Sequence, residues 1–119
     1  MKKLLYVDDA SSMRKLVNLV LSKEFEITLA ENGQQGYEAV LNSPFDVIIS
    51  DVNMPVMTGL ELLEKLRAHP NSKFTPILML TTEASPELKA EGKRLGATGW
   101  IVKPFDPEKL SGIINRVLN

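Results

Sequence analysis

Residues 4–20 read LLYVDDASSMRKLVNLV and contain the pattern from which the fold class is inferred. The apolar run Leu4–Val7 stops at the acidic pair Asp8-Asp9, and its length predicts a short strand that is buried on both faces. Apolar residues then recur with the i, i+3, i+4, i+7 spacing of an amphipathic helix, at Met13, Leu16, Val17 and Val20. The stretch therefore predicts a strand followed by a helix over about residues 11–22, with two carboxylates at the junction.

The same pair of elements recurs along the rest of the chain. Four further apolar runs also have the length and branched content of strands that are buried on both faces, namely Ile27–Ala30, Val47–Ile49, Ile77–Leu80 and Trp100–Val102. Helix patterns follow them over about residues 33–42, 58–68, 86–95 and from 107 onward. Ser85-Pro86 and Asp106-Pro107 combine a helix-capping side chain with a proline at the first helical position, which marks two of the helix starts.

Five strands in strict alternation with five helices predict an α/β fold with a parallel sheet and right-handed crossovers. Because five helices must cover two sheet faces, we expect a doubly wound sheet. Such sheets bind ligands at the carboxyl ends of their strands, where the strand order reverses. In the order 2-1-3-4-5, strands one and three are neighbours at that point.

Composition excludes several classes of protein. The chain has 119 residues, which is the size of one domain, with 44% apolar and 24% charged residues. Its 14 basic and 15 acidic residues give a net charge of -1, which argues against nucleic-acid binding. The absence of cysteine excludes disulfides and a thiolate site, and the single histidine, His69, argues against a histidine-based site. The first apolar run is too short for a signal peptide or a membrane span, so we expect a cytoplasmic protein.

Chemically active side chains follow four of the five predicted strands. These are Asp8-Asp9, Asp51, Thr81-Thr82 and Lys103-Pro104. Each has an ordinary structural explanation when taken singly, as a helix cap, a turn, a strand end or a loop lysine. Their joint occurrence at the strand ends favours a site.

Three neighbouring carboxylates require a cation or a raised pKa, because two like charges ~4 Å apart repel by about 4 kcal/mol at an effective dielectric constant of about 20. Oxygen ligands without histidine or cysteine favour Mg²⁺, which commonly bridges to a phosphate. Lys103 and Thr81 suit phosphate oxygens, and Asp51 is a candidate nucleophile that would form an aspartyl phosphate.

Four motifs, in this order, resemble those of a response-regulator receiver domain of the single-domain, chemotaxis (CheY-like) type. They are Asp8-Asp9, Asp51–Pro55 with Gly59, Leu80-Thr81 and Lys103–Phe105. The resemblance runs from Lys3 to Leu118 and implies the flavodoxin-like order 2-1-3-4-5. It also leads us to expect a single receiver domain over residues 1–119, without an output domain, that regulates another molecule.

The resemblance implies that Asp51 is the phosphoacceptor and that a sensor histidine kinase donates the phosphoryl group. Mg²⁺ would be bound by Asp9, Asp51 and the backbone carbonyl of Asn53, with Asp8 acting through a bound water. Lys103 would pair with the carboxylate and then with the phosphoryl oxygens, and the Lys103–Pro104 peptide bond would be cis. The chain would catalyse only its own phosphorylation and dephosphorylation.

The resemblance also assigns switching and partner-binding roles. Thr81 would move to the phosphoryl group and the aromatic Trp100 would turn inward, while Asn53 and Glu83 would favour fast self-dephosphorylation. Helix four has few apolar anchors and a Gly92 that costs about 1 kcal/mol relative to alanine, which is typical of a mobile element. The face formed by helix four, strand five and helix five would bind a downstream protein such as a flagellar motor switch or a histidine phosphotransfer protein, with a phosphatase as a further candidate partner.

Three alternatives remain open at this point. The chain would be a phosphorelay intermediate if Asp51 passed its phosphoryl group to a histidine on another protein. Asp51-Val52-Asn53 resembles the Asp-x-Asp motif of aspartate-nucleophile phosphatases, although Asn53 cannot act as a carboxylic acid. A flavodoxin-like electron carrier would share the topology, but three carboxylates would repel the phosphate of FMN unless a metal intervened.

Overall fold

A computed structural model describes residues 1–83 and 85–118. Within them, strands and helices alternate as predicted. The strands are β1 (Lys2–Val7), β2 (Phe25–Ala30), β3 (Val47–Asp51), β4 (Ile77–Thr81) and β5 (Gly99–Val102). The helices are α1 (Ser11–Leu21), α2 (Gly33–Asn42), α3 (Gly59–Arg67), α4 (Pro86–Leu95) and α5 (Pro107–Leu118).

The five strands form one parallel sheet in the order β2-β1-β3-β4-β5, which confirms the predicted topology. Val7 of β1 pairs with Ser50 of β3, and Asp51 pairs with Leu80 of β4. The residues that follow β1, β3 and β4 therefore lie at the same edge of the sheet.

Apolar side chains fill the space on both faces of the sheet. On one face, Val40 of α2 and Leu62 and Leu66 of α3 are buried in a cluster that Leu88 and Leu95 of α4 also contact. On the other face, α1 and α5 contribute Val17, Leu21, Leu110 and Ile114. The doubly wound arrangement leaves the carboxyl ends of the strands uncovered by helices.

Local side-chain contacts cap the starts of α3, α4 and α5. Thr58 caps α3 and exchanges hydrogen bonds with Glu61 in a capping box, so the helix begins one residue later than predicted. Ser85 accepts a hydrogen bond from the Leu88 amide, and Asp106 accepts one from the Glu108 amide. Both predicted capping signals are therefore confirmed.

The prediction that every strand is buried on both faces is wrong for the two edge strands, β2 and β5. Strand β2 begins earlier than predicted, at Phe25, and its Thr28 and Leu29 are exposed. In β5, Val102 is exposed and Trp100 is only partly buried. The reason is the position of both strands at the edges of the sheet, where one side of each strand has no neighbour. Among the helices of residues 1–83 and 85–118, none is long and apolar enough to cross a membrane.

Candidate functional site

Asp8, Asp9 and Asp51 converge at the carboxyl edge of the sheet, as the sequence predicts. One carboxylate oxygen from each residue lies within 4.8 Å of the others. Asp8 is 0% exposed and Asp51 is 7% exposed, whereas Asp9 is exposed to solvent. The three acids thus form a cluster that is buried on one side and open on the other.

Lys103 supplies a positive charge to this cluster. Its ammonium nitrogen lies 3.3 Å from an Asp51 carboxylate oxygen and 3.5 Å from an Asp8 carboxylate oxygen. The Lys103 amide donates a hydrogen bond to the Thr81 carbonyl at 2.7 Å, which holds the start of the β5–α5 loop against the end of β4. The Lys103–Pro104 peptide bond is cis, in agreement with the sequence expectation.

The electrostatics of Asp51 favour a further cation. Burial raises the pKa of the Asp51 carboxyl above its ordinary value of 3.8, and the charges of Asp8 and Asp9 add to the increase. Lys103 opposes this rise but does not cancel it. A second cation at the open side of the cluster would stabilise the ionised carboxylate.

Tyr6 is a site residue that the sequence interpretation assigned only to an apolar run. It is 0% exposed, and its hydroxyl donates a 2.6 Å hydrogen bond to the same Asp8 oxygen that faces Lys103. Burial, followed by the hydrogen bond and the charge of Asp8, raises the pKa of Tyr6, so the hydroxyl stays protonated and acts as a donor. The spacing of Tyr6 and Asp8 could have indicated this contact, because residues i and i+2 of an extended chain point to the same face.

Thr81 ends β4, and Asn53 and Glu83 follow β3 and β4 at the same edge of the sheet. Thr81 is 0% exposed, and its hydroxyl oxygen accepts a 2.9 Å hydrogen bond from the Glu83 amide, so its own proton can be donated to another acceptor. The side chains of Asn53 and Glu83 are exposed, in the loops that follow β3 and β4. The structure therefore places a buried hydroxyl and two exposed polar groups near the strand ends.

The loop between β3 and α3 is held tightly around Asp51. A Cβ atom at Gly59 would overlap the carbonyl oxygen of Asp51, so α3 can begin against this backbone only without a side chain. Val56 has a φ of 72°, and the Met57 amide donates a 2.8 Å hydrogen bond to the Pro55 carbonyl. This i to i+2 bond defines a γ-turn with a left-handed central residue, which is strained for a β-branched side chain.

Trp100 and Gly92 fit together at the face between β5 and α4. A Cβ atom at Gly92 would overlap the indole atom Cζ2 of Trp100, so the glycine forms a notch for the ring. Trp100 is partly buried and contacts the apolar cluster beneath α2, α3 and α4. From the sequence, Gly92 was interpreted only as a residue that destabilises the helix. In the structure, its lack of a side chain makes room for the indole ring of Trp100.

Comparison with known proteins agrees with this geometry, since residues 4–115 match the response regulator receiver domain. The chain belongs to the receiver domain family of two-component response regulators. The receiver fold is also seen in chemotaxis protein CheY4 of Vibrio cholerae, which is 52% identical, with a TM-score of 0.95 and 98% of each chain covered. A putative response regulator from Chloroflexus aurantiacus is 32% identical, with a TM-score of 0.90 over 98% of this chain and 97% of that one.

Curated relatives of this receiver domain include larger proteins. The transcriptional regulatory protein SrrA of Staphylococcus aureus is 40% identical over 108 residues, which cover 90% of this chain and 44% of SrrA. The chain therefore spans less than half the length of that relative. Receiver domains bind Mg²⁺ at an acidic pocket and are phosphorylated by sensor histidine kinases, and this chain contains the corresponding cluster of aspartates.

Proposed function

We propose that this receiver domain is a phospho-aspartate switch in which a sensor histidine kinase phosphorylates Asp51. The observation that carries the proposal is the position of the Lys103 ammonium between Asp8 and Asp51, 3.5 Å from one carboxylate and 3.3 Å from the other. A lysine that neutralises two clustered carboxylates is well placed to neutralise a phosphoryl group on one of them. A purely structural ion pair would not need the exposed third acid, Asp9.

The proposed transfer proceeds by in-line displacement at phosphorus. A carboxylate oxygen of Asp51 forms the new P–O bond while the P–N bond of the donor phosphohistidine breaks, and its electron pair leaves on the imidazole nitrogen. Lys103 balances charge on the phosphoryl oxygens, and the Thr81 hydroxyl donates a hydrogen bond to one of them. Positioning and charge neutralisation supply most of the catalysis in such transfers.

The cluster fits a magnesium ion. Its donors are all oxygen atoms, three carboxylates lie within 4.8 Å, and the exposed Asp9 leaves one side accessible. Asp9, Asp51 and the backbone carbonyl of Asn53 would hold the ion directly, and Asp8 would hold it through a water. When bound, Mg²⁺ supplies positive charge to phosphoryl oxygens.

Asn53 and Glu83 bear on the lifetime of the phosphorylated state. Both side chains are exposed, in the loops that follow β3 and β4 at the edge of the sheet that carries Asp51. We therefore expect comparatively fast self-dephosphorylation. On this account the chain catalyses its own phosphorylation and dephosphorylation and has no other substrate.

The output face is proposed to consist of α4, β5 and α5. A groove of about 300 Å³ runs along β5 at the edge of the sheet, lined by Leu78, Gly99, Trp100, Ile113, Arg116 and Val117. Phosphorylation would shift a pre-existing equilibrium of this face toward the state that binds a target. The similarity to chemotaxis protein CheY4 supports a role in chemotaxis. The target we propose is a flagellar motor switch.

Intact-protein mass spectrometry tests the proposal. The chain is incubated with a small acyl phosphate, with Mg²⁺ or with a chelator. We expect one added phosphoryl group with Mg²⁺, a much smaller gain with the chelator, and none in Asp51→Asn. The matched control is Asp46→Asn at an exposed aspartate, which we expect to react as the wild type does. Turnover of many phosphomonoesters, or an unmodified wild type, would contradict the proposal.

A second assay separates a chemotaxis switch from a phosphorelay intermediate. The phosphorylated chain is mixed with a flagellar motor switch protein or with a histidine phosphotransfer protein. A switch binds the motor protein more tightly after phosphorylation. Transfer of the label from Asp51 to a histidine would instead identify an intermediate.

A further inference from the structure

The buried Asp8 carboxylate has three donors, and they differ in mobility. One oxygen, Oδ1, accepts a 3.0 Å hydrogen bond from the Ala10 amide. The other, Oδ2, accepts a 2.6 Å hydrogen bond from the Tyr6 hydroxyl and lies 3.5 Å from the Lys103 ammonium. The amide and the buried tyrosine ring are held by the fold, whereas the lysine is carried on a flexible stem.

The contact with Tyr6 is the shorter of the two at Oδ2. Its length lies within the range of about 2.5–2.7 Å for a hydroxyl that donates to an ionised oxygen. Because the Tyr6 and Ala10 donors hold different oxygens, together they fix the plane of the carboxylate. The direction in which Asp8 presents its remaining lone pairs therefore depends on Tyr6.

The hydrogen bond from Tyr6 to Asp8 becomes important when the phosphoryl group is transferred. When Lys103 turns toward phosphoryl oxygens, Asp8, which is 0% exposed in this structure, loses a cationic partner. A buried charged group without donors is strongly destabilised. The Tyr6 hydroxyl does not need to move, so it keeps Oδ2 hydrogen-bonded throughout.

We infer that Tyr6 is a positioning residue of the magnesium site, which orients the Asp8 carboxylate toward the ion and holds it when Lys103 engages the phosphoryl group. This inference rests on the proposed function, since it concerns the same site. Groups that orient a metal-binding side chain commonly change metal affinity by about 10-fold to 100-fold when they are removed.

The test is the Mg²⁺ dissociation constant of the full chain, measured by isothermal titration calorimetry without a phosphodonor. Tyr6→Phe keeps the buried ring and removes only the hydroxyl, and we expect about 10-fold weaker binding. Tyr37→Phe is the matched control, since Tyr37 lies on α2 beside His69, and it should leave the affinity unchanged. Binding by Tyr6→Phe within twofold of the wild type would overturn the inference.

A double-mutant cycle distinguishes positioning from packing. In an Asp8→Ala background the acceptor is gone, so we expect Tyr6→Phe to change Mg²⁺ affinity less than twofold. An undiminished effect would show that Tyr6 does not act through Asp8.

A measurement on the unmutated chain covers the case in which Tyr6→Phe does not fold. Tyrosine labelled with ¹³C at Cζ gives two resonances, because the chain has two tyrosines. We expect the Tyr6 resonance to shift during a Mg²⁺ titration and that of Tyr37 to stay in place. A Tyr6 resonance that stays still through saturation would overturn the inference. An unphosphorylated wild type would instead contradict the proposed function, whatever the affinities are.

Discussion

The Lys103 ammonium bridges two carboxylates that come from different strands, lying 3.3 Å from Asp51 and 3.5 Å from Asp8. The lysine itself follows β5, so this contact ties together the ends of three strands. Its side chain is 17% exposed, which leaves it partly shielded from the screening effect of water. The relationship links the stability of the sheet edge to the chemistry proposed for it.

Replacement of Lys103 should therefore destabilise the metal-free protein. Lys103→Met leaves two buried carboxylates without their common cation, and we expect a loss of about 3 kcal/mol in the free energy of unfolding. Mg²⁺ should recover more stability in this variant than in the wild type, because it replaces the missing charge. Urea unfolding with chelator and with Mg²⁺ measures both effects.

The control for this experiment is Lys109→Met, which removes an exposed lysine from α5. It should change stability by less than about 0.5 kcal/mol. An equal loss in both variants, or a Mg²⁺ response in Lys103→Met no larger than that of the wild type, would argue against the bridging role.

The raised pKa of Asp51 predicts a pH-dependent effect of Asp51→Asn. Burial makes the folded protein bind the Asp51 proton more tightly than the unfolded chain does. Above the folded-state pKa, ionisation of Asp51 therefore lowers the free energy of unfolding. This loss of stability disappears as the pH falls from the folded-state pKa to the ordinary value of 3.8. Without metal, Asp51→Asn should be more stable than the wild type near neutral pH.

The advantage of Asp51→Asn should shrink as the pH approaches about 4, where the wild-type carboxyl also becomes neutral. Urea unfolding in chelator at a series of pH values measures the difference. A constant difference across the series would contradict the assignment.

Replacement of glycine by alanine should have opposite effects on stability at Gly92 and at Gly112. Gly92→Ala should lower stability by about 1–3 kcal/mol, because the new methyl group overlaps the Trp100 ring. Gly112→Ala should raise stability by about 1 kcal/mol, since nothing lies within 4 Å of the added atom and alanine favours the helix.

Tryptophan fluorescence gives a second readout, because Trp100 is the only tryptophan in the chain. Its emission should change in Gly92→Ala and stay the same in Gly112→Ala. Equal and favourable effects on stability in the two variants would show that Gly92 is not a notch for the indole.

Replacement of Val56 by glycine should stabilise the protein. Its φ of 72° costs a side chain about 1–2 kcal/mol, and its 83% exposure means that little packing is lost when the side chain is removed. Val56→Gly should therefore stabilise the protein by about 1 kcal/mol, after allowance for the greater freedom of glycine in the unfolded chain. Thermal unfolding measures the change.

Val102→Gly is the matched control, because Val102 is an exposed valine in β5. Glycine weakens a strand, so this variant should lose stability. A destabilised Val56→Gly would show that the loop conformation depends on the valine side chain rather than merely tolerating it.

The features that could be predicted from the sequence are those that depend on short-range pattern. The apolar run before Asp8-Asp9 and the helical spacing after it are local, and they were enough to place the strand ends and the acids. The parallel order then brought Asp51 and Lys103 to the same edge. For this reason the acidic cluster and its lysine were predicted together.

The features that the sequence did not reveal depend on contacts between distant residues or on the loop backbone. Gly92 is suited to its position only because Trp100 packs against it. The sequence around a helical glycine does not indicate which distant residue contacts it. Val56 belongs to a residue type that rarely takes a left-handed conformation, so composition predicts no γ-turn there. Tyr6 matched the apolar pattern of its strand, which concealed the role of its hydroxyl.

The most direct test of the account is the position of the phosphoryl group on the phosphorylated chain. Borohydride reduction converts an aspartyl phosphate to homoserine, and peptide mass spectrometry then identifies the residue. We predict homoserine at position 51 after incubation with an acyl phosphate and Mg²⁺, with Asp8 and Asp9 unchanged. Conversion at another residue, or no conversion in a protein that has gained a phosphoryl group, would contradict the assignment of Asp51.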